Sequence, residues 1–248
     1  MTKEKTVEAE ITIAADPDAV WRAITEGEQL KQWFSTDARV RPGVGGGMWM
    51  SFGEGMDWET PITLWEPGRH LRTEDPAPSK LAVDYYIEGK GGETVVRLVH
   101  SGFAADAWDD ELETLDGGWR AFLAALKNYL ERHAGESRTV VSFRHPSVAM
   151  SRAEAFPIML DALGVPLVAE GEHFTSPIFE GEAEVVKAPI NLSGRLSNLG
   201  GGFLMIELEP GRGTCRPSVW LSLFGDAAAE APALQEKLQE RVKAAFGS

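Results

Sequence analysis

The sequence predicts an α+β protein dominated by antiparallel sheet and divided into two parts. Three observations carry this. Period-two alternation recurs in segment after segment between residues 37 and 101. The connectors between those segments are too short for parallel crossovers, which need a dozen or more residues. From Leu112 to Leu130 the apolar spacing then changes to three and four, the mark of one broad helix face.

Each element can be justified in order. Val7, Ala9, Ile11 and Ile13 alternate with Glu8, Glu10 and Thr12, which reads as a half-buried strand. Asp16 then stands where an N-cap belongs and Pro17 at the first helical position, where its missing N–H costs nothing. Val20, Trp21 and Ile24 line the apolar side of that helix, and Gly27 marks its end. A second short helix, about 28–34, carries Leu30, Trp33 and Phe34. Six strands follow at about 37–41, 47–53, 57–66, 69–74, 81–89 and 93–101, punctuated by Gly45-Gly46-Gly47, Gly53-Glu54-Gly55, Glu66-Pro67-Gly68 and Gly89-Lys90-Gly91-Gly92. The helix through Leu112, Leu115, Trp119, Phe122, Leu123, Leu126 and Leu130 closes the first part near Gly135. Asp106, Asp109, Asp110, Glu111 and Glu113 suit a solvated helix start, where carboxylates favour the macrodipole. A long apolar helix face needs a large partner, and the sheet is the one on offer, so a two-layer domain over residues 1–135 is expected.

Residues 136–248 repeat that order in outline. Val140, Val141 and Phe143 suggest a strand, 149–163 a helix ended by Gly164, then strands near 183–187, 190–197, 202–209 and 216–224, and a closing helix over 232–246. The expectation is a second, smaller α+β domain, a degenerate copy of the first.

Composition narrows the function classes. Acidic residues outnumber basic ones 38 to 24, for a formal net charge of −14, so no basic footprint for nucleic acid or anionic membrane is present. No apolar run is long enough to span a membrane. The single cysteine, Cys215, cannot form an internal disulfide and reads as a buried, inert thiol. The charged first ten residues lack a signal-peptide core. Cytoplasm is the expected location.

Several short pieces, in order along the first half, resemble a known family. They are Ala15-Asp16-Pro17-Asp18-Ala19-Val20-Trp21, Leu30-Lys31-Gln32-Trp33-Phe34, Arg41-Pro42-Gly43-Val44-Gly45-Gly46, Glu66-Pro67-Gly68-Arg69-His70-Leu71, Gly92-Glu93-Thr94-Val95-Val96-Arg97-Leu98, His100-Ser101-Gly102-Phe103 and Gly118-Trp119-Arg120-Ala121-Phe122-Leu123. Together they make residues 7–134 similar to the activator of Hsp90 ATPase homologue domain of the START-like (SRPBCC) superfamily. That resemblance implies a helix-grip fold, a curved antiparallel sheet around a long C-terminal helix with a cavity between them. It implies little about activity, because such domains include small-molecule carriers, cyclases and stress proteins. The chaperone activator has a further domain before this one, which this sequence does not match.

The remaining motifs point to few chemistries. Gly43-Val44-Gly45-Gly46-Gly47 lacks the spacing of a dinucleotide loop and runs into Met48-Trp49-Met50, so a turn is expected; Gly200-Gly201-Gly202 reads as a hairpin turn. The five histidines form no zinc-binding pair, and neither a metal nor a cofactor is expected. His100, at a strand end, reads as an ordinary hydrogen-bonded histidine rather than a general base. Ser101 and Ser193 lie in no nucleophile elbow, and catalytic residues are not assigned. Eight tryptophans and seven methionines are generous for this length, and apolar walls with a few polar groups suit a small-ligand pocket. Since only alternate strand residues face one lumen, Trp49 and Met50 cannot both line it. The expected lining is Trp49, Trp58, Tyr85, Trp119 and Phe122, with Asp57 and Arg97 as polar candidates. The leading expectation is binding of a small hydrophobic or amphipathic molecule without catalysis. The alternatives are a cyclase- or hydratase-type enzyme and a chaperone-related module with a protein partner.

Overall fold

The computed structural model describes residues 5–53, 55–104 and 109–247. It resolves into two compact units, 1–134 and 135–248.

In the first unit β1 (Lys5–Ile13) leads through α1 (Pro17–Thr25) and α2 (Gly27–Leu30) into β2 (Asp37–Arg41), β3 (Gly47–Ser51), β4 (Asp57–Glu66), β5 (His70–Glu74), β6 (Ala82–Lys90) and β7 (Glu93–Phe103), and ends in α3 (Asp109–Arg132). All seven strands form one antiparallel sheet, ordered β1-β7-β6-β5-β4-β3-β2. Successive strands are neighbours, while the first strand closes on the last: Ala9 faces Leu98, which faces Tyr85, which faces Leu71. That row and the flanking Val7, Ile13 and Val96 are buried, and form the inner face. The opposite face carries Glu8, Glu10, Arg97, Tyr86, Asp84 and Arg72. There Asp84 accepts from Arg72 at 2.6 Å and meets His70 at 2.7 Å.

Helix α3 packs on the inner face through Leu123, Ala124, Leu126 and Tyr129, none more than 3 % exposed. Each leucine so buried is worth roughly 2 kcal/mol of removed apolar surface. Polar contacts fix its position: Lys127 Nζ donates to Thr12 O at 3.0 Å, Ala14 N to Glu131 at 2.8 Å, and Tyr129 Oη to Gln29 at 2.6 Å. Of the acidic run around the start of α3, Asp106 and the side chains of Asp109, Asp110 and Glu111 lie outside the described residues.

Two local readings need correction. Asp16 holds the N-cap position of α1 in extended backbone, but its side chain makes no cap bond. Gly27 opens α2 rather than ending α1, whose C-cap is Glu26. Its reason for being glycine is a close approach, since a Cβ there would stand 2.6 Å from Ala38 O on β2. The Gly43–Gly47 run is a turn, as expected: Gly46 N donates to Gly43 O at 2.9 Å, and Ile62 N to Gly46 O at 3.1 Å.

The second unit follows the same path with one strand fewer. β8 (Thr139–Arg144), α4 (Arg152–Leu163), β9 (His173–Thr175), β10 (Glu180–Lys187), β11 (Asn191–Leu196), β12 (Phe203–Gly211), β13 (Thr214–Leu223) and α5 (Ala231–Phe246) follow in order. The sheet runs β8-β13-β12-β11-β10-β9, again with the first strand on the last. The fold class is therefore α+β, with a smaller second unit of similar order. Leu192, Ile206 and Val219 share one row across this sheet, and all three are fully buried with Met159 of α4 and Leu238 of α5. Ser151 caps α4 by accepting from Glu154 N, while Glu154 returns a bond to Ser151 N, a capping box. Cys215 is a free thiol in this core, and burial raises its pKa. The short strand β9 was not anticipated.

Candidate functional site

The site is a chain of aromatic side chains on the inner face of the first unit. Pairing sets which strand residues reach it. Met50 lies opposite Trp58, and Trp49 opposite both Arg39 and Glu59. Trp58 therefore shares a face with Ala38 and Met50, while Trp49 turns to the charged side, where the Arg39 guanidinium lies 4.6 Å from its ring centre. Trp49 is thus not part of the lining, and of the pair it is Met50 that faces inward. The same parity places Asp57 outward. Arg97 is also outward, 4.4 Å over Tyr86 and 3.6 Å from Glu8.

The other four expected residues belong together, joined by rings the sequence reading passed over. Trp58 stacks on Phe52 at 5.6 Å, and Phe52 meets Phe34 edge-on at 5.2 Å. Phe34, delivered by the turn after α2, touches Phe122 at 4.6 Å and lies parallel to Trp119 at 5.8 Å. Trp119 in turn meets Tyr85 edge-on at 6.4 Å and His100 at 5.9 Å, and His100 packs against Phe103 at 4.6 Å. Trp58 at one end is 44 % exposed, whereas Phe34, Tyr85 and Phe103 are buried. Phe52, Trp119 and Phe122 are half-buried. The arrangement is a run of contacting rings between the inner face of the sheet and α3, with Trp58 on β4 its most exposed member.

Its polar groups sit at the buried end. Trp119 Nε1 donates to His100 Nδ1 at 3.1 Å. An indole N–H can only donate, so Nδ1 is the acceptor and the neutral ring carries its proton on Nε2. Desolvation lowers the His100 pKa to about 4, against the opposing pull of the Asp75 carboxylate. Burial also raises the Tyr85 phenol well above its ordinary value. At neutral pH both are uncharged. His100 is therefore a hydrogen-bond donor and a weak base.

A separate open cleft of about 450 Å³ lies at the start of α1, lined by Asp16, Pro17, Asp18, Ala19 and Arg22. It holds none of these rings. Among the described residues no cluster of three or more His, Cys, Asp or Glu side chains could hold a metal ion. No helix among them is long and apolar enough to cross a membrane.

An antiparallel sheet closed first strand on last, with a long C-terminal helix across its inner face, defines a helix-grip domain of the START-like kind. Residues 14–131 match the family described as Activator of Hsp90 ATPase homolog 1-like protein, and the first unit is a domain of that family. None of the curated protein sequences matches the chain. Among solved structures, the Aha1 dimer from Colwellia psychrerythraea is 22 % identical, covering 53 % of this chain and 99 % of its own, with a TM-score of 0.48. DynU16, described as a putative protein in the dynemicin biosynthetic locus, is 19 % identical over 98 % of this chain and 97 % of its own, with a TM-score of 0.46. The di-domain ARO/CYC BexL from the BE-7585A biosynthetic pathway is 13 % identical over 98 % of this chain and 99 % of its own, also at 0.46.

Proposed function

We propose that the first unit binds a small hydrophobic or amphipathic molecule in the groove between sheet and α3. The observation that carries this is the run of contacting, partly exposed rings Trp58, Phe52, Phe122 and Trp119, which ends on buried Tyr85. A core with no binding role would close these rings off; here they line one continuous apolar surface that solvent reaches. Mass spectrometry of the purified full chain, native and then denaturing, tests the reading together with titration by a lipophilic probe library. A co-purified small molecule, or probe binding that weakens in Phe122→Ala, supports it. An empty protein that binds nothing in the library sinks it.

A second reading, an enzyme of the cyclase or hydratase type, is favoured by one observation: His100 is titratable, inside the groove and strongly shifted. With a pKa near 4 it would act by polarising a substrate oxygen rather than by removing a proton. Turnover of a bound molecule, lost in His100→Gln, would establish it.

We also read the second unit as a diverged copy of the first. The shared strand path supports this, with α4 in the place of α1 and α2, and α5 in the place of α3.

A further inference from the structure

The face of the second sheet turned away from its core carries a row of polar residues that the binding reading does not use. Arg144, Ser218, Glu207, Asn191 and Lys187 stand opposite one another in turn across β8, β13, β12, β11 and β10. Alternation separates them from Ile206, Leu208 and Val219, which lie in the core on the other face. Asn191 is fully buried. Ser193 Oγ donates to its Oδ1 at 2.8 Å, but its Nδ2 has no partner among the described residues. A buried donor so placed carries the desolvation cost of an unmade bond. Arg144 reaches over Ser218 to Glu209 in a two-pronged bond, with Nε donating to Oε1 at 2.7 Å, although Glu207 is the carboxyl on its own row.

We propose that Glu207 is a proton-operated switch in the second unit: protonated, it leaves Arg144 to Glu209, and ionised, it draws Arg144 between the two carboxylates and accepts from Asn191 Nδ2. Geometry supplies both positions. Glu207 and Glu209 lie two residues apart on β12 and so on one face, roughly 7 Å from each other along the strand. The bond to Glu209 shows that Arg144 can cross β13, because Ser218 beneath it is short. Asn191 is the direct cross-strand neighbour of Glu207, close enough for their side chains to meet. The surrounding charges leave the balance fine. Desolvation and then the Glu209 carboxylate raise the Glu207 pKa to about 7, against the pull of Arg144 and of Arg152 on α4. Arg216 on β13 stands 3.9 Å from Glu209, and Lys187 ends the row on β10. The sign follows. The folded unit keeps the proton up to about pH 7, whereas the unfolded chain releases it near 4.5. Stability of the second unit therefore falls as pH rises between those values, by up to about 300-fold in the ratio of folded to unfolded chains.

The test follows the isotope-labelled full chain by NMR between about pH 5 and 9. Three signals are read: the Glu207 side-chain carboxyl, the Arg144 Nε–H, and the indole N–H of Trp220, which shares this face two residues beyond Ser218 on β13. Each is assigned by its loss in Glu207→Gln, Arg144→Lys or Trp220→Phe. The carboxyl should titrate near pH 7, and the Arg144 and Trp220 signals should move with the same midpoint. In Glu207→Gln, which stays neutral, both should remain at their low-pH positions throughout. Asn191→Ala removes a donor to the ionised form and should tighten proton binding at Glu207 about fivefold. A carboxyl that titrates near 4.5 would overturn the proposal. So would one that titrates near 7 while Arg144 stays still, or an Arg144 titration that survives in Glu207→Gln. Should Glu207→Gln not fold, Glu207→Asp assigns the carboxyl, and the wild-type midpoints decide the question.

Discussion

Acidification should destabilise the first unit through His100, and the size of the effect follows from its position. The imidazole lies on the inner face against Trp119 and Phe103, and burial holds its pKa at about 4 where an ordinary histidine has 6.5. In the unfolded chain the ring takes a proton near pH 6.5, whereas the folded unit refuses it until about pH 4. Between those values the unfolded state binds more protons, so stability rises with pH across that window and is fully present above it. A shift of this size is worth up to about 3 kcal/mol. Urea unfolding followed by tryptophan emission suits the measurement, because seven of the eight tryptophans precede residue 135. The free energy from this probe should fall by up to about 3 kcal/mol from pH 7 to pH 4. In His100→Gln, which keeps an acceptor for Trp119, that fall should shrink by a similar amount. Identical pH slopes in the two proteins would refute the reasoning, as would a directly titrated His100 pKa near 6.5.

Three further outcomes are expected. Leu126→Ala removes a side chain with no exposure from the α3–sheet contact and should cost about 2–5 kcal/mol in the same unfolding assay. Gly46→Ala places a Cβ 1.9 Å from Arg41 O; the β2–β3 turn must distort, and a loss of about 2 kcal/mol or more should appear as a lowered melting temperature. Trp49→Ala should leave lipophilic-probe affinity within twofold of wild type, since its ring lies under Arg39 on the outer face, whereas Trp119→Ala should weaken binding about tenfold or more; comparable losses in both would contradict the assigned strand faces.

The order of elements was legible because each depends on local pattern. The segment at 57–66 coincides with β4, and the apolar spacing from Leu112 to Leu130 lies within α3. What local pattern lacks is phase. Alternation in Met48-Trp49-Met50 is satisfied with either parity inward, and the choice is made by pairing with Ala38 and Trp58. Phe34 and Phe52 were missed because one leaves the turn after α2 and the other the β3–β4 hairpin, and only folding brings them within 5.2 Å. His100 reads as unremarkable until Trp119, on a helix nineteen residues later, donates to it. The strand β9 was invisible because three residues carry too little alternation to register.

The closure of first strand on last has a consequence for the growing chain. Lys5 emerges from the ribosome long before its partner Phe103, and β1 has no other neighbour in the sheet. Until β7 is made, the nascent segment must travel unpaired, with Val7, Ala9, Ile11 and Ile13 exposed to whatever it meets. The wait is then repeated: β8 stands by from Thr139 until Leu223 is synthesised. Translation therefore confronts this protein with two successive intervals of vulnerability, each ended by the arrival of one late strand. Synonymous changes that slow elongation just before residue 103 or residue 223 would lengthen those intervals without altering a single amino acid.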